Sequence, residues 1–117
     1  MALGQLYAQH GQPEKATPWF QKGLDAASNS FDKAMAQAAL GYINEKIGKH
    51  SDALALFEKA LNQGEATLKG DLLMAIARCH EGLKDGAKAR ATYDQIIKQL
   101  PNTEYAKNAQ LYKDMLE

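Results

Sequence analysis

Apolar side chains return along this chain every three or four positions, in blocks separated by Gly, Pro, Ser and Asn. That spacing places them on one face of a helix, and no segment shows the alternation of two that marks a strand. Seven helices are expected, at roughly 1–10, 14–27, 31–48, 51–63, 66–83, 86–100 and 103–116. Pro13 suits a first helical position, and Ser51 and Thr103 stand where side-chain caps belong. Pro18 is discordant inside a helix that begins at Glu14, so a later or kinked start with Thr17 as cap is expected there. In the last block Tyr105, Ala109, Tyr112 and Leu116 form one apolar stripe, with Lys107, Asn108, Lys113 and Asp114 facing outward.

Sliding the chain over itself exposes a repeat. Leu3 and Gly4 are followed by Tyr7, Gly11, Ala16, Phe20 and Leu24; about 37 residues later Leu40 and Gly41 lead to Gly48, Ala53, Phe57, Ala60 and Leu61. A third copy runs through Ile76, Ala77, Ala89, Tyr93, Ile96 and Ile97. In each copy twelve positions separate the small residue (Gly4, Gly41, Ala77) from the next alanine (Ala16, Ala53, Ala89). Small residues at matched positions let two antiparallel helices approach, and the large residue four places on (Phe20, Phe57, Tyr93) fills the wedge that remains.

This pattern resembles the tetratricopeptide repeat family over nearly the whole length, and Pro101, eight residues after Tyr93, stands at the family's usual proline. The resemblance implies an all-α, right-handed superhelical α-solenoid of about three helix pairs. Their spans are about 1–27, 31–64 and 66–101, with a capping helix at about 103–116. The copies depart from the family pattern where Asn44 and His80 replace the aromatic Tyr7, and where Lys84 replaces the glycine of Gly11 and Gly48. Residues beyond the usual repeat length are expected in the turns near Ser28–Ser30 and Gly64–Glu65. Met1 falls inside the first expected helix, so the chain reads as an excised part, and pairing between copies is expected through that end or through Trp19.

By the resemblance, the first helices of successive pairs line a concave groove carrying Gln5, Gln9, Met35, Ala38, Ala39, Tyr42, Glu45, Lys46, Asp71, Met74, Ala75, Arg78 and Glu81. Tyr42 and Arg78 are residue types enriched at binding hot spots. They equally suit humbler roles, Arg78 pairing with Glu45 or Glu81 and Tyr42 covering a core edge. One subfamily grips the C-terminal carboxylate of chaperones with basic and amide groups in this groove; here Asp71 and Ala75 occupy two of the basic positions, which implies a hydrophobic or mixed peptide, or a helix, as ligand. The stretch Leu100-Pro101-Asn102-Thr103-Glu104-Tyr105-Ala106 is similar to repeat ends of bacterial envelope members, among them the ancillary translocon subunit and outer-membrane assembly or Tol-associated factors. That likeness favours a periplasmic or inner-membrane-anchored setting with an upstream anchor, and otherwise a cytoplasmic one.

Composition narrows the function. Fourteen basic residues balance fourteen acidic ones, so no field draws nucleic acid or an anionic membrane to the chain. No apolar run reaches the roughly 20 residues that a membrane span requires. His10, His50 and His80 lie in different segments with no pair four apart on one helix, and adjacent Cys79 and His80 point in different directions, so neither a metal site nor a thiol dyad is expected. Cys79 sits in an apolar run and reads as a small core residue. The expectation is a protein without catalysis, cofactor or metal that holds a protein or peptide partner. Self-association, or service as a helical part of a larger enzyme, is the alternative.

Overall fold

The computed structural model describes residues 13–116. The expected helix at 1–10, with Gln5, Gln9 and His10, lies outside them. The described chain forms six α-helices and one 3-10 turn: α1 Pro13–Ala26, α2 Ser30–Lys46, α3 His50–Leu61, the turn Ala66–Leu68, α4 Lys69–Gly82, α5 Gly86–Gln99 and α6 Glu104–Met115. Each helix packs chiefly on the next along the chain, and α4 also touches α6. The product is an α-solenoid about 39 Å long.

Helix ends follow local chemistry, with corrections to the sequence expectation. Thr103 caps α6 by accepting from the Ala106 N–H at 3.2 Å. Asn29 and Asp85, which the apolar pattern did not single out, cap α2 and α5 through the Asp32 and Lys88 N–H groups. Ser51 is not a cap: α3 begins at His50, and Lys49 precedes it without a side-chain bond. The late start expected at Pro18 is also absent, because α1 runs from Pro13 with Pro18 inside it. Pro18 lies five positions in, where it forgoes the bond to the Glu14 carbonyl and its ring crowds that group, and packing of Ala16 and Phe20 holds the helix.

Three core layers follow one another along the stack, each built on one of the recurring aromatics. Ala16 and Phe20 of α1 meet Leu40 and Ile43 of α2. Ala53, Phe57 and Ala60 of α3 lie between Ala34 and Ala38 of α2 and Leu72, Ala75, Ile76 and Cys79 of α4. Ala89, Tyr93 and Ile96 of α5 meet Leu73 and Ala77 of α4 and Ala109 of α6. Ala16, Ala53 and Ala89 are each 0 % exposed, as positions of close helix approach require. Gly41 shows the fit most directly: a Cβ there would lie 2.8 Å from the Phe57 ring.

The stack continues into α6 with a fixed step. Tyr105, Ala109 and Leu116 stand 37 positions after Leu68, Leu72 and Cys79, and pack on the α4–α5 layer as those three pack on the α2–α3 layer. Lys113 departs from its outward expectation. It turns in toward α5 and binds the Asp94 carboxylate at 2.6 Å. Tyr112 lies 6.0 Å from the Tyr93 ring yet stays 42 % exposed, at the edge of the expected stripe rather than within it.

The turns inside the α2–α3 and α4–α5 pairs are each left-handed at one residue. Gly48 takes φ 83°, and Lys84, at the matching place in the next pair, takes φ 62°. A side chain crowds its own carbonyl in that region, whereas glycine does not. Lys84 is exposed and makes no side-chain bond among the described residues, so Lys84→Gly removes strain and gives up no side-chain interaction. A gain of about 0.5–1 kcal/mol in chemical denaturation is expected, and a loss would place the cost of unfolded-state glycine entropy above the strain.

Candidate functional site

Apart from Gln5 and Gln9, which lie outside the described residues, those expected in the groove come from two helices. On α2, Met35, Ala38, Ala39 and Tyr42 repeat at three- and four-residue steps and share one face; on α4, Asp71, Met74, Ala75 and Arg78 do the same. Between the helices lies an open cavity of about 250 Å3 lined by Met35, Ala38, Ala39, Tyr42, Leu68, Asp71 and Leu72. Its wall is apolar apart from the Tyr42 hydroxyl and the Asp71 carboxylate. Met35 and Tyr42 remain 42 % and 40 % exposed at its rim, although both are large apolar side chains. Tyr42 is braced from behind by the buried Phe57 ring, edge to face at 4.9 Å.

The polar residues of this face are mostly engaged with one another. Arg78 of α4 grips Glu45 of α2 through two parallel bonds, Nε to Oε2 at 2.8 Å and Nη2 to Oε1 at 3.0 Å. That fork holds the guanidinium more firmly protonated than usual. Being half-exposed, the pair contributes about 0.2–1 kcal/mol, and it ties the side chains of α2 and α4 together across the groove. Glu81 accepts from the Tyr93 hydroxyl of α5, and burial followed by that bond pushes the phenol well above its ordinary range. Asp71 accepts from the Tyr105 hydroxyl of α6 at 2.9 Å, which raises the Tyr105 phenol. Burial, then the Asp71 charge, raises the Tyr42 phenol, while Arg78 beside it lowers it. Lys46 is exposed on the last turn of α2 and has no ion-pair partner among the described residues.

The structure thus brings Met35, Tyr42 and Asp71 to one cavity and joins Glu45 to Arg78 beside it. Met74 is withdrawn, packing against the α4–α5–α6 core. Glu81 lies apart, on the last turn of α4, where it is tied to α5. Leu68 and Leu72 were not among the expected groove residues, yet they form the cavity wall. The tyrosine hydroxyls of α5 and α6 that hold Glu81 and Asp71 were also missed, since their register is set only by helix packing. On the 37-residue step, Leu111 and Met115 of α6 follow Met74 and Arg78, and their 57 % and 70 % exposure carries an apolar surface beyond α4.

Among the described residues no three His, Cys, Asp or Glu side chains come close enough to hold a metal ion. Cys79 is fully buried, and desolvation raises its thiol to about 11. The native chain will therefore leave Cys79 unmodified by a thiol reagent at pH 8 and will react fully once unfolded in guanidinium. Rapid labelling under native conditions would show that the α2–α4 layer opens. No helix among the described residues is long and apolar enough to cross a membrane.

Helix pairs stacked in sequence, with a solvent-facing cavity between the first helices of neighbouring pairs, define a helical repeat protein. Two models described as tetratricopeptide repeat match the chain, one over residues 1–66 and the other over residues 48–111. The chain belongs to the tetratricopeptide repeat family, whose repeats are in general protein-interaction modules. No curated protein matched the sequence.

Proposed function

We propose that this chain is a non-catalytic scaffold or chaperone-like adaptor that holds a peptide or helix of a partner protein against the groove face of α2 and α4. The observation that carries the reading is the open apolar cavity between those helices, rimmed by exposed Met35 and Tyr42 on a surface whose other polar groups are largely paired. Large apolar side chains left in solvent around a concavity are what a partner covers. Tyr42 is backed by the buried Phe57 ring, so little ordering of that side chain accompanies docking.

A photo-crosslinking amino acid placed at Met35 or Tyr42, in cells of the source organism, is expected to trap a partner. The same group at Lys59 on α3 is expected to trap none. Tyr42→Ala combined with Arg78→Ala should lose that partner while the far-UV dichroism is unchanged. Crosslinks only from Lys59, or full retention in the double variant, would move the site off the groove.

A second reading, self-association, draws on Trp19, Leu111 and Met115, which are 37 %, 57 % and 70 % exposed. A mass that rises with concentration in sedimentation, and stops rising in Leu111→Ser with Met115→Ser, would favour it. For the setting, the Leu100–Ala106 stretch supports a bacterial envelope protein, and fractionation of source cells tests that placement.

A further inference from the structure

The α2–α4 cavity carries an uncompensated charge at its rim. Of the five charged groove residues described, Glu45 and Arg78 cancel in their two-bond pair, Glu81 is held by Tyr93, and Lys46 stands on the last turn of α2. Asp71 alone lines the cavity. One of its oxygens accepts from Tyr105; the other takes no hydrogen bond, and no cation lies within ion-pair distance among the described residues. The Asp71 side chain is exposed, and the Tyr105 bond holds it in place. The site thus joins an apolar hollow to a fixed, half-satisfied carboxylate. A hollow of about 250 Å3 has ample room for one leucine or aromatic side chain, since about 150 Å3 suffices for benzene.

We infer that the occupant is a partner segment that seats one apolar side chain among Met35, Ala39, Tyr42 and Leu72 and sets an adjacent lysine or arginine on Asp71. This rests on the groove reading above and adds the chemistry of the ligand to it. Charge complementarity decides between candidate ligands: an acidic segment meets the Asp71 carboxylate, which has no cation within ion-pair distance among the described residues, Arg78 being bound to Glu45 and Lys46 standing on the last turn of α2. A neutral apolar segment fills the hollow and leaves the open Asp71 oxygen without its water. A basic residue one helical turn from the inserted side chain meets both requirements.

Two fluorescein-labelled helical peptides of about fifteen residues, built on alanine and glutamine, test this. Each carries one central leucine, with lysine four positions away in one and glutamate there in the other. Anisotropy at low salt is expected to show the lysine probe binding about fivefold more tightly than the glutamate probe, with the gap shrinking at 0.5 M NaCl. Asp71→Asn keeps the acceptor for Tyr105 and the melting temperature, and it should erase the gap. Met35→Ala should weaken both probes alike and leave the gap in place. Equal binding of the two probes, or a gap that persists in Asp71→Asn, overturns the charge assignment; a continued Met35→Ala effect would then leave the groove reading standing. If neither probe binds, the proposed ligand chemistry is wrong, and crosslinking from Met35 decides separately whether the groove is used.

Discussion

Phe57→Ala lowers the free energy of unfolding by about 3–5 kcal/mol, measured by urea denaturation followed by far-UV dichroism. The ring is 0 % exposed and is enclosed by α2, α3 and α4. The layer around it combines alanines fixed on helix backbones (Ala34, Ala38, Ala53, Ala60 and Ala75) with Leu72, Ile76 and Cys79. A void left among these side chains costs what is usual for truncating a large buried aromatic. Far-UV dichroism is the better probe because the chain's one tryptophan, Trp19, is on α1 and reports mainly on the first layer of a stack whose contacts are between neighbours. The same change removes the ring that braces Tyr42, so groove binding should weaken even where the fold survives. A loss below about 1 kcal/mol would contradict a central place for Phe57.

The second large effect is the reverse one, adding a methyl where the repeat has none. Gly41→Ala places Cβ 2.8 Å from one Phe57 ring carbon and 2.9 Å from another, and the ring has no open side to retreat toward. A net loss of about 1–3 kcal/mol is expected, although alanine in a helix interior would otherwise gain up to about 1 kcal/mol over glycine. Phe57→Leu should recover part of it in the double variant, because a narrower side chain makes room. A coupling of about 0.5 kcal/mol or more in a double-mutant cycle is the expected signature. Strictly additive effects would mean that Gly41 and Phe57 do not constrain one another.

The repeating pair of small and large positions was readable because helical packing repeats in sequence. Ala16, Ala53 and Ala89, and Phe20, Phe57 and Tyr93, were named from their spacing alone, and all six are buried. Thr103 was readable as a cap because the residues after it begin an apolar stripe at once. Ser51 was misread for the converse reason: Ser, Thr, Asp and Asn are all plausible caps by type, and only the backbone decides which one sits at the boundary. At Pro18 the late start was not realised, because packing of Ala16 and Phe20 holds a helix that already begins at Pro13.

The site was legible only by face. The family resemblance puts Met35, Tyr42, Asp71 and Arg78 on the first helices of successive pairs, yet it carries no distance between those helices. Whether Arg78 would stand free or pair with Glu45 was open in the sequence. It depends on a separation set by Phe57 and the alanines beneath it, and the structure resolves it as a pair. Leu68 was unremarkable in the sequence and became a cavity wall because the 3-10 turn before α4 carries it to the groove side.

What the sequence by itself determined is the helical repeat: periodic apolar positions select helices, and matched small and bulky residues select which faces meet, both being short-range properties of composition and spacing. What only the tertiary structure decided is which charges cancel and which are left over. Glu45, Asp71 and Glu81 are alike in sequence, but their partners Arg78, Tyr105 and Tyr93 lie 33, 34 and 12 positions away, on neighbouring helices. The strength of each pairing turns on distances of a few ångströms that depend on how closely those helices pack.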